Sequence, residues 1–599
     1  MNHGVAFGEN ISTEKFKRRR YDDDPQPQVR PRKFLLLAIL GIGAVLLITK
    51  LFLLQVVHGS DYQKLADSNR MRTKIIHAPR GVIFDRNGVP LVFNIPGFRR
   101  ITTPANGNQP AKTEHLDKEK ALQLIAKGDP TVEVDSLRQY PYKDATSHVL
   151  GYVGQISPDE VKMPEFSQYQ PTDWLGKNGI EGEYESLLRG SDGKQLLEVD
   201  ALGKEVRSLG QTDPIPGQDI TLTLDAHLQE KAYEATKDVQ KGVVIASKPD
   251  GEILAMISRP SFDANLFTLD KTYKVASGSS YPNISSILQD NNNQPLLNRV
   301  IGGVYPPGST FKIVTAASGL ENKVIDSKYA VEDTGVLKLG EFSYANWYYI
   351  EDGKKEQGPI DVIRALSRSN DIFFYKLAQK IGVDKLSATA KSFGVGSKLG
   401  IDLGGEVSGL LPTKQWKKNV IKESWYVGDT FHYGIGQGYL LTTPLQVNSW
   451  TEAFANGGTL YRPHLRKDES IEKLNTNLLT NKSLPLILHG MVDTCREGGV
   501  AWPLYHFKVK NGKLPVDNKN YLSVASASAD TREIPVACKT GTAQQGGDEG
   551  LPHAWITLFA PAYKPEIVVT VLVEAKGQGS NEAGPIAKKV LDAYFSSKK

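Results

Sequence analysis

One segment near the N-terminus is apolar almost without interruption. Residues 34–57 read FLLLAILGIGAVLLITKLFLLQVV, with only two strongly polar side chains. This is about the helix length needed to cross a hydrocarbon core of roughly 30 Å. Eight Lys and Arg residues lie between Lys15 and Lys33, and the positive-inside rule predicts that this end stays in the cytoplasm. The pattern therefore predicts one uncleaved transmembrane helix, with everything after His58 outside the cytoplasm.

The segments on either side of this helix differ in pattern. Residues 1–33 are polar and poor in apolar side chains, which predicts a disordered cytoplasmic tail. Residues 58–217 alternate short apolar strands, small helices and turns such as Asn87-Gly88, without a recognisable pair of nucleophile and base. We expect an extended, mostly-β spacer domain there.

A second folded region covers residues 218–599. Two apolar strands flank the hairpin signal Pro249-Asp250-Gly251, and HAWITLFAPA and EIVVTVLVE near the C-terminus are strand-like. The chain then ends in an amphipathic helical pattern, PIAKKVLDAYF. Strands at both ends of the region with helices between them predict an α+β fold. Its central antiparallel sheet would be covered by helices on both faces, an αβα arrangement.

The composition is that of a folded globular protein: 599 residues, 40% hydrophobic and 23% charged. The net charge of +5 is small, and basic residues beyond the N-terminus are interspersed with acidic ones, so no nucleic-acid partner is expected. The two cysteines, Cys495 and Cys538, are too few for a cysteine zinc site. Their spacing leaves open one disulfide bridge or two free thiols.

Two short motifs carry candidate chemistry, each with a plainer alternative. In YPPGSTFKIVTAASGLE, Ser309 and Lys312 share one face of a first helical turn. A desolvated lysine can take the serine's proton, but a capping serine beside a surface lysine gives the same pattern. Lys539-Thr540-Gly541-Thr542 follows an apolar strand. Its Lys and Thr could hold a carboxylate while Gly541 lets the backbone approach, but a solvated strand end looks identical.

A third motif lies between these two, where Ser367, Ser369 and Asn370 precede an amphipathic helical pattern. By itself the cluster fits a helix cap as well as a proton relay. The order of the three motifs is the distinctive feature: serine–lysine first, the serine–amide cluster second and K-T-G last, all outside the membrane. Penicillin-binding proteins and serine β-lactamases carry that order.

The chain resembles a class B penicillin-binding protein, a monofunctional D,D-transpeptidase, of the elongation type. The resemblance also rests on RGVIFDRNG (80–88), GIEGEYESLLRGSDG (179–193) and GDTFHYGIGQGYLLTTPLQ (428–446). It implies a pedestal, dimerisation-like domain over residues 58–217 and a penicillin-binding transpeptidase domain over 218–599. It further implies donor stem peptides ending in D-Ala-D-Ala and inhibition by β-lactams. No cofactor is expected.

The resemblance also implies roles for the motif residues. Ser309 would attack the penultimate D-alanyl carbonyl and Lys312 would accept its proton. Lys539 and Thr540 would hold the terminal carboxylate, and the N–H groups of Ser309 and Thr542 would form the oxyanion hole.

The middle motif has two possible registers. In the first, Ser369 relays a proton toward the leaving D-alanine and Asp371 takes the place of an asparagine found in most relatives. In the second, Ser367 is the shuttle and Asn370 the amide. That spacing is one residue too long, which on a helix displaces a side chain by about 100°. The first register is therefore favoured.

Two features depart from the family pattern. A long insertion of unassigned role, about residues 507–532, precedes the K-T-G strand. Some elongation-type relatives also hold zinc with Asp, Asp, His and Cys. The corresponding positions here are Asp333, Asn346, Gln357 and Asn370, so no metal is expected.

Two further segments resemble catalytic motifs without their context. GIGQG (434–438) looks like a nucleotide loop but lacks a Walker lysine, so we expect a close-approach loop beside the active site. His553 could be mistaken for a triad base, but it is expected to open the next strand.

Two other functions stay open at this point. A D,D-carboxypeptidase or β-lactamase-type hydrolase would pass the acyl group to water, and a β-lactam sensor would not turn over. The anchor and pedestal favour the transpeptidase. Because residues before 218 show no glycosyltransferase pattern, a polytopic membrane glycosyltransferase in a cell-elongation or division complex is the expected partner.

Overall fold

The computed structural model describes residues 31–102, 112–129, 131–200, 205–269, 273–351, 353, 355–516, 519–523, 530–544 and 550–598. The predicted tail, residues 1–33, lies outside this part of the chain except for its last three residues. The chain divides into two compact units. One is the chain up to Lys74 with Gln195–Gln211, and the other is Ile75–Lys194 with Thr212–Lys599.

The elements follow in chain order. As far as Thr212 they are α1 (Pro31–Phe52), a π-helical turn (Leu53–Val57), α2 (Gly59–Arg70), β1 (Met71–Ile76), β2 (Ile83–Phe84), β3 (Pro90–Thr102), β4 (Lys112–Leu116), α3 (Lys118–Ala126), β5 (Val132–Gln139), α4 (Ser147–Leu150), β6 (Val153–Gln155), β7 (Trp174–Gly176), α5 (Gly179–Glu183), α6 (Glu185–Leu188), β8 (Gly193–Val199) and β9 (Glu205–Thr212). The next group is β10 (Ile220–Thr221), α7 (Ala226–Ala235), β11 (Gly242–Ser247), β12 (Ile253–Arg259), α8 (Asn265–Thr268), α9 (Ile284–Gln289), α10 (Arg299–Gly302), a 3₁₀ turn (Gly308–Phe311), α11 (Lys312–Glu321), β13 (Ala330–Asp333), β14 (Val336–Leu339), β15 (Phe342–Ala345), α12 (Trp347–Glu351), β16 (Gly358–Asp361), α13 (Val362–Ser367), α14 (Asp371–Ile381) and α15 (Val383–Ser392). The last group is α16 (Lys414–Trp416), α17 (Val427–Gly434), α18 (Pro444–Ala455), β17 (Leu460–Tyr461), β18 (Lys473–Asn475), α19 (Ser483–Thr494), β19 (Lys508–Lys510), β20 (Leu522–Ser523), β21 (Thr531–Glu533), β22 (Ala537–Ala543), β23 (His553–Ala560), β24 (Ile567–Val573) and α20 (Gly579–Ser596).

The apolar helix belongs to the first unit. Residues 33–57 have a mean hydropathy of 2.5, and none of the most apolar stretch of this helix is buried inside the protein. This fits a single-pass membrane anchor, as predicted. The helix begins at Pro31, three residues before the predicted Phe34, because proline is well suited to the first position of a helix. In the same unit, β1, β8 and β9 form a three-stranded sheet.

The second unit begins with the sheet β10-β2-β3-β4, in which β5 pairs with β3. The predicted turn at Asn87-Gly88 is confirmed between β2 and β3, and Gly88 takes the positive φ of +83° that such a turn requires. Three buried ion pairs hold this region together: Glu181 accepts from both Arg80 and Arg138, and Arg80 also pairs with Glu185. The predicted β-rich region is confirmed, with short helices between its strands.

The central sheet of the second unit has the order β12-β11-β24-β23-β22, and all neighbouring strands are antiparallel. Every residue of β11, β12, β23 and β24 is buried, which explains their continuous apolar runs. Along β11, Val244 packs with α7 and α20 in one cluster, whereas Val243 packs with α18 in another. The predicted αβα arrangement is therefore confirmed.

Part of the predicted insertion, residues 507–532, is ordered into a small sheet. β19 and β20 both pair with β21. Phe507 and Val509 join the same apolar cluster as α20, which anchors the start of this segment to the domain. Residues 517–518 and 524–529 of it lie outside the described part of the chain.

Candidate active site

Ser309 lies on the 3₁₀ turn that leads into α11, and it lines an open cleft. The preceding Gly308 has a φ of +53°, and its N–H donates to the carbonyl of Gly436 at 2.9 Å. A side chain at Gly436 would overlap the Gly308 carbonyl, so only glycine permits this contact. The GIGQG segment is thus the close-approach loop that was predicted, packed against the turn that holds Ser309.

Lys312 is the first residue of α11 and is fully buried. Its Nζ donates to Asp371 Oδ1 at 2.6 Å and to the Ser369 carbonyl at 2.8 Å, with Ser369 Oγ at 3.4 Å. Burial lowers the pKa of Lys312, and the Asp371 carboxylate partly opposes this effect. The Lys312 amine therefore loses its proton more readily than the amine of a surface lysine.

Ser369 lies between two lysine amines. Its Oγ accepts from Lys539 Nζ at 2.8 Å and from Lys312 Nζ at 3.4 Å. The backbone at Ser369 has a φ of +52°, a left-handed conformation that a serine adopts at a cost of about 1–3 kcal/mol. Ser367, in contrast, closes α13, and its Oγ donates to the Arg364 carbonyl at 3.1 Å. The structure brings Ser369, and not Ser367, to the lysines.

The sequence left open that a serine of this motif only caps the following helix, and the next residue, Asn370, excludes this for Ser369. Asn370 caps α14, with its side-chain oxygen accepting from Phe373 N at 2.8 Å, so Ser369 does not serve as the cap. Asp371 opens α14 and accepts from the backbone N–H of Trp347 at 3.0 Å. The Trp347 indole also donates to the Ser369 carbonyl at 3.1 Å.

Lys539 and Thr540 lie on the edge strand β22. Lys539 is fully buried, and its pKa is lowered well below its usual value by burial and then by the neighbouring charge of Lys312. At Gly541 a Cβ would come within 3.0 Å of Thr310 and of Trp555, so glycine lets β22 approach the nucleophile turn without a shift of its neighbours. Thr542 is exposed at the cleft.

Cys538 directly precedes Lys539 and forms a disulfide with Cys495. The bridge joins the residue just after α19 to β22 across a sequence separation of 43. The alternative of two free thiols is therefore wrong. Cys538 is a fully buried residue of β22, the strand that carries Lys539, so the bridge ties this strand to the end of α19.

The four positions compared with a zinc site form a hydrogen-bonded cluster. Asp333 Oδ2 accepts from Asn370 Nδ2 at 2.6 Å and from Asn346 Nδ2 at 2.9 Å, and Gln357 Oε1 accepts from Asn370 at 3.0 Å. One carboxylate and three amides do not match a donor set of Asp, Asp, His and Cys. No cluster of three or more His, Cys, Asp or Glu residues suited to a metal occurs in the described part of the chain.

The cleft has a volume of about 410 Å³ and is lined by Ser309, Ser369, Asp371, Thr540, Gly541 and Thr542, among others. Its wall also contains Gln437 of the predicted GIGQG loop, and Trp347 and His432, which were not predicted from the sequence. Trp347 lies 22 residues before Ser369 with no local motif to mark it. His553 opens β23 as predicted, and its Nδ1 accepts from Ala575 N at 3.3 Å, away from this cleft.

The arrangement suits acyl transfer. A hydroxyl on an accessible turn, a desolvated amine three residues further along the chain and a second hydroxyl between two amines are groups that can move protons without a histidine. The strand β22 lies at the edge of the sheet and carries Thr540, so an extended peptide could add to this edge.

Two family models match this chain. The family described as "Penicillin binding protein transpeptidase domain" matches residues 241–592, and "Penicillin-binding Protein dimerisation domain" matches residues 128–222. Peptidoglycan D,D-transpeptidase MrdA of Acinetobacter baumannii is 32% identical over 95% of this chain and 88% of its own length. MrdA of Escherichia coli K12 is 32% identical over 93% of both chains.

Solved structures show the same similarity. The penicillin-binding protein PBP2 of Helicobacter pylori, in complex with MreC, has a TM-score of 0.71 and 28% identity over 88% of this chain and 99% of its own. Pseudomonas aeruginosa PBP2 in complex with WCK 5153 has a TM-score of 0.65 and 31% identity, covering 88% and 97%. A chain of a peptidoglycan synthase complex that coordinates polymerization and crosslinking has a TM-score of 0.69 and 28% identity, covering 95% and 99%.

Proposed function

Because this chain belongs to the penicillin-binding protein transpeptidase family, we propose that it crosslinks peptidoglycan through an acyl-enzyme on Ser309. Its relatives named MrdA are peptidoglycan D,D-transpeptidases, and D,D-transpeptidation in cell wall synthesis is the function of this chain. The predicted resemblance to a class B, elongation-type protein is confirmed by the same relatives. The roles of the individual residues are inferred from the geometry of the Ser309 cleft.

In the first half-reaction, Ser309 Oγ attacks the carbonyl carbon of the penultimate D-alanine. The hydroxyl proton passes to the neutral amine of Lys312, and an ester forms as the C–N bond to the terminal D-alanine breaks. The leaving nitrogen receives a proton through the Ser369 hydroxyl. An acceptor amine from a second stem peptide then attacks the ester, releasing Ser309 and forming the crosslink. The backbone N–H groups of Ser309 and Thr542 would stabilise the oxyanion in both steps.

One observation carries the proposed mechanism: the Ser369 hydroxyl lies 2.8 Å from one buried lysine amine and 3.4 Å from another. Each amine is within reach of the same hydroxyl, so a proton can move between Lys312 and the leaving group by short steps.

Lys539 has a second role in this proposal. Burial keeps its pKa low in the free protein, but a bound terminal carboxylate would raise that pKa by its opposite charge. Lys539 would therefore become protonated as the substrate binds, and Thr540 beside it would donate to the same carboxylate.

We also propose a setting for the reaction. The basic residues before α1 favour a cytoplasmic N-terminus, which would place the catalytic unit outside the membrane. Relatives solved with MreC and within a peptidoglycan synthase complex support a partner complex in cell elongation that includes a glycan-polymerising membrane protein.

A fluorescent penicillin tests the nucleophile. The full chain in detergent should become covalently labelled, Ser309→Ala should not, and mass mapping should place the adduct on Ser309. Incubation with a D-Ala-D-Ala stem peptide and an amine acceptor should then yield the crosslinked dimer rather than the hydrolysed peptide. Labelling of Ser309→Ala at the normal level, or hydrolysis alone, contradicts the proposal.

A further inference from the structure

The free edge of β22 is covered by side chains. Within the described part of the chain, β22 ends the central sheet and pairs only with β23. Two of its backbone carbonyls accept hydrogen bonds from side chains. The Thr540 carbonyl accepts from Lys539 Nζ at 3.0 Å, and the Thr542 carbonyl accepts from Gln437 Nε2 at 3.3 Å. Backbone groups of an antiparallel strand point alternately to its two sides, so these two carbonyls point to the same side. Because Gln437 lines the Ser309 cleft, this side is the one that faces the cleft.

The Thr542 carbonyl lies beside the nucleophile turn. A Cβ built on Gly308, the residue before Ser309, would lie 3.0 Å from the Thr542 oxygen. The Gly308 N–H donates to the carbonyl of Gly436, the residue before Gln437. The nucleophile turn, the GIGQG loop and the edge strand therefore meet at one point. A peptide that extends along β22 to reach Ser309 passes the Thr542 carbonyl.

Gln437 is held in place by its backbone rather than by its side chain. Its N–H donates to the His432 carbonyl at 2.8 Å, and the N–H of Gly436 donates to the Tyr433 carbonyl at 3.0 Å. These bonds fix the loop to the end of α17. The side chain makes a single hydrogen bond to the described residues, the one to Thr542. Gln437 is half-buried and Thr542 is exposed, so the side-chain amide can turn away from the carbonyl while the loop keeps its place.

The Gln437 amide holds the position that a peptide N–H takes when a strand is added to a sheet. Strand addition pairs the outward N–H and C=O groups of the edge strand with those of the new strand. The outward carbonyl of Thr542 already accepts from Gln437 Nε2, so an added peptide competes with this side chain for it. Covering the edge groups in this way also discourages pairing with the strands of other chains.

We propose that Gln437 is a specificity-determining residue, whose amide closes the free edge of β22 until a donor peptide places its own backbone N–H on the Thr542 carbonyl. A ligand that brings no such N–H does not gain this contact and leaves Gln437 where it is. The competition lowers the apparent affinity for the donor by the fraction of molecules in which the carbonyl is open. One such hydrogen bond corresponds to an effect of about twofold to tenfold. This role of Gln437 rests on the acyl-enzyme function proposed above.

Acylation rates of the full chain in detergent test the proposal with two probes. Benzylpenicillin carries an acylamino N–H, and penicillanic acid has the same ring system without it. Gln437→Met keeps the length of the side chain and removes its amide. The second-order rate constant for benzylpenicillin should rise about twofold to tenfold in this variant, and that for penicillanic acid should stay unchanged. An unchanged rate with benzylpenicillin, or an equal rise with both probes, overturns the proposal. A slower rate would also overturn it, because Gln437 would then support β22 rather than compete with the ligand.

Equilibrium binding separates this role from the chemistry. In a Ser309→Ala background, a fluorescent stem peptide ending in D-Ala-D-Ala should bind with a Kd about twofold to tenfold lower when Gln437→Met is added. Gln437→Asn, whose amide is one methylene shorter, should act in the same direction and serves if the first variant does not fold.

Gln415→Met is the matched control. It also removes a side-chain amide, one that donates to Asn419 at 2.8 Å and does not line the Ser309 cleft, so the Kd should not change. If the unaltered chain is not labelled at Ser309, the proposed function fails. Normal labelling with the same Kd in both Gln437 variants and the Gln415 control overturns the role of Gln437 alone.

Discussion

The Ser369 hydroxyl lies 2.8 Å from the Lys539 amine, although 170 residues separate them in the chain. Both residues are buried. This contact joins the helical part of the domain to the edge strand of its central sheet. The second and third motifs are thereby parts of one hydrogen-bonded system.

Replacing Ser369 tests that system. Ser369→Ala should slow penicillin acylation by about 10²–10⁴-fold, the usual contribution of a positioned proton-transfer group. Ser367→Ala is the matched control. It removes a hydroxyl two residues away whose hydrogen bond to Arg364 lies within its own helix. It should cost about 1 kcal/mol of stability and change the acylation rate little. Stopped-flow acylation rates measure both, and a large loss in Ser367→Ala would mean that the register is wrong.

The lowered pKa of Lys312 predicts a pH dependence. Acylation requires the neutral amine, so its rate should rise with pH as Lys312 loses its proton. The Asp371 carboxylate favours the charged amine and holds that pKa up against the effect of burial. Asp371→Asn removes this charge, so the Lys312 pKa should fall further and the rising limb of the rate should move to lower pH.

The matched control for this change is Asp361→Asn, which alters the cap of α13 away from the cleft and keeps an asparagine that caps equally well. Its pH profile should coincide with that of the unaltered chain. A limb that stays in place in Asp371→Asn, or moves to higher pH, would show that Lys312 is not the group that titrates.

Much of the catalytic geometry could be predicted from local patterns. Short-range spacing predicted that Ser309 and Lys312 share one turn and that the K-T-G segment follows an apolar strand, but each motif alone also fitted a plainer alternative, and the order of the three motifs made them candidates. For the middle motif, the sequence favoured the register with Ser369 because the spacing from Ser367 to Asn370 is one residue too long. In the structure Ser367 ends α13, whereas Ser369 lies just before α14.

Other parts of the site depend on contacts that spacing does not encode. Trp347 donates to Asp371 and to the Ser369 carbonyl from a separate helix. The Cys495–Cys538 pairing required two distant segments to approach within 6.0 Å at Cα, which no local pattern reports. Asn370 proved to be the helix cap, and only the fold shows which of several polar residues takes that place.

The disulfide predicts a stability difference. Closing a loop of 43 residues is expected to stabilise the folded state by about 4 kcal/mol in the chain-entropy view. Reduction, and the double change Cys495→Ala with Cys538→Ala, should each lower the thermal midpoint by several degrees. Reduction keeps both sulfur atoms in place, so it separates the loss of the crosslink from the cavities that alanine leaves. An unchanged midpoint after complete reduction of the thiols would show that the bridge adds no stability.

Membrane orientation has a direct test. With epitopes at both ends, a protease added to intact spheroplasts should degrade everything after about His58 and leave the N-terminal epitope protected. Lysed spheroplasts provide the control in which both epitopes disappear. Survival of the C-terminal epitope in intact spheroplasts would reverse the orientation that the basic tail predicts.

The glycine that supports the nucleophile turn gives a last prediction. Gly436 and Gly457 both have a positive φ, +76° and +89°, so alanine at either position costs about 1–2 kcal/mol of backbone strain. Their surroundings differ. A Cβ at Gly436 would overlap the carbonyl of Gly308 next to Ser309, whereas a Cβ at Gly457 meets nothing within 4 Å. Gly457→Ala should therefore lower stability slightly and leave penicillin acylation unchanged. Gly436→Ala should displace the turn and slow acylation at least tenfold.

Circular dichroism has to show that Gly436→Ala is folded before its rate is interpreted. If it is not folded, Gly541→Ala provides the milder test, because its Cβ would only press on Thr310 and Trp555 at 3.0 Å. Overpacking of this kind costs about 1–3 kcal/mol, which the domain can accommodate by a small shift of β22. Since β22 carries Lys539 and Thr540, that shift should weaken acylation more than it lowers the thermal midpoint. Equal acylation rates in the unaltered chain, Gly436→Ala and Gly541→Ala would mean that close approach of these backbones is not needed to position Ser309.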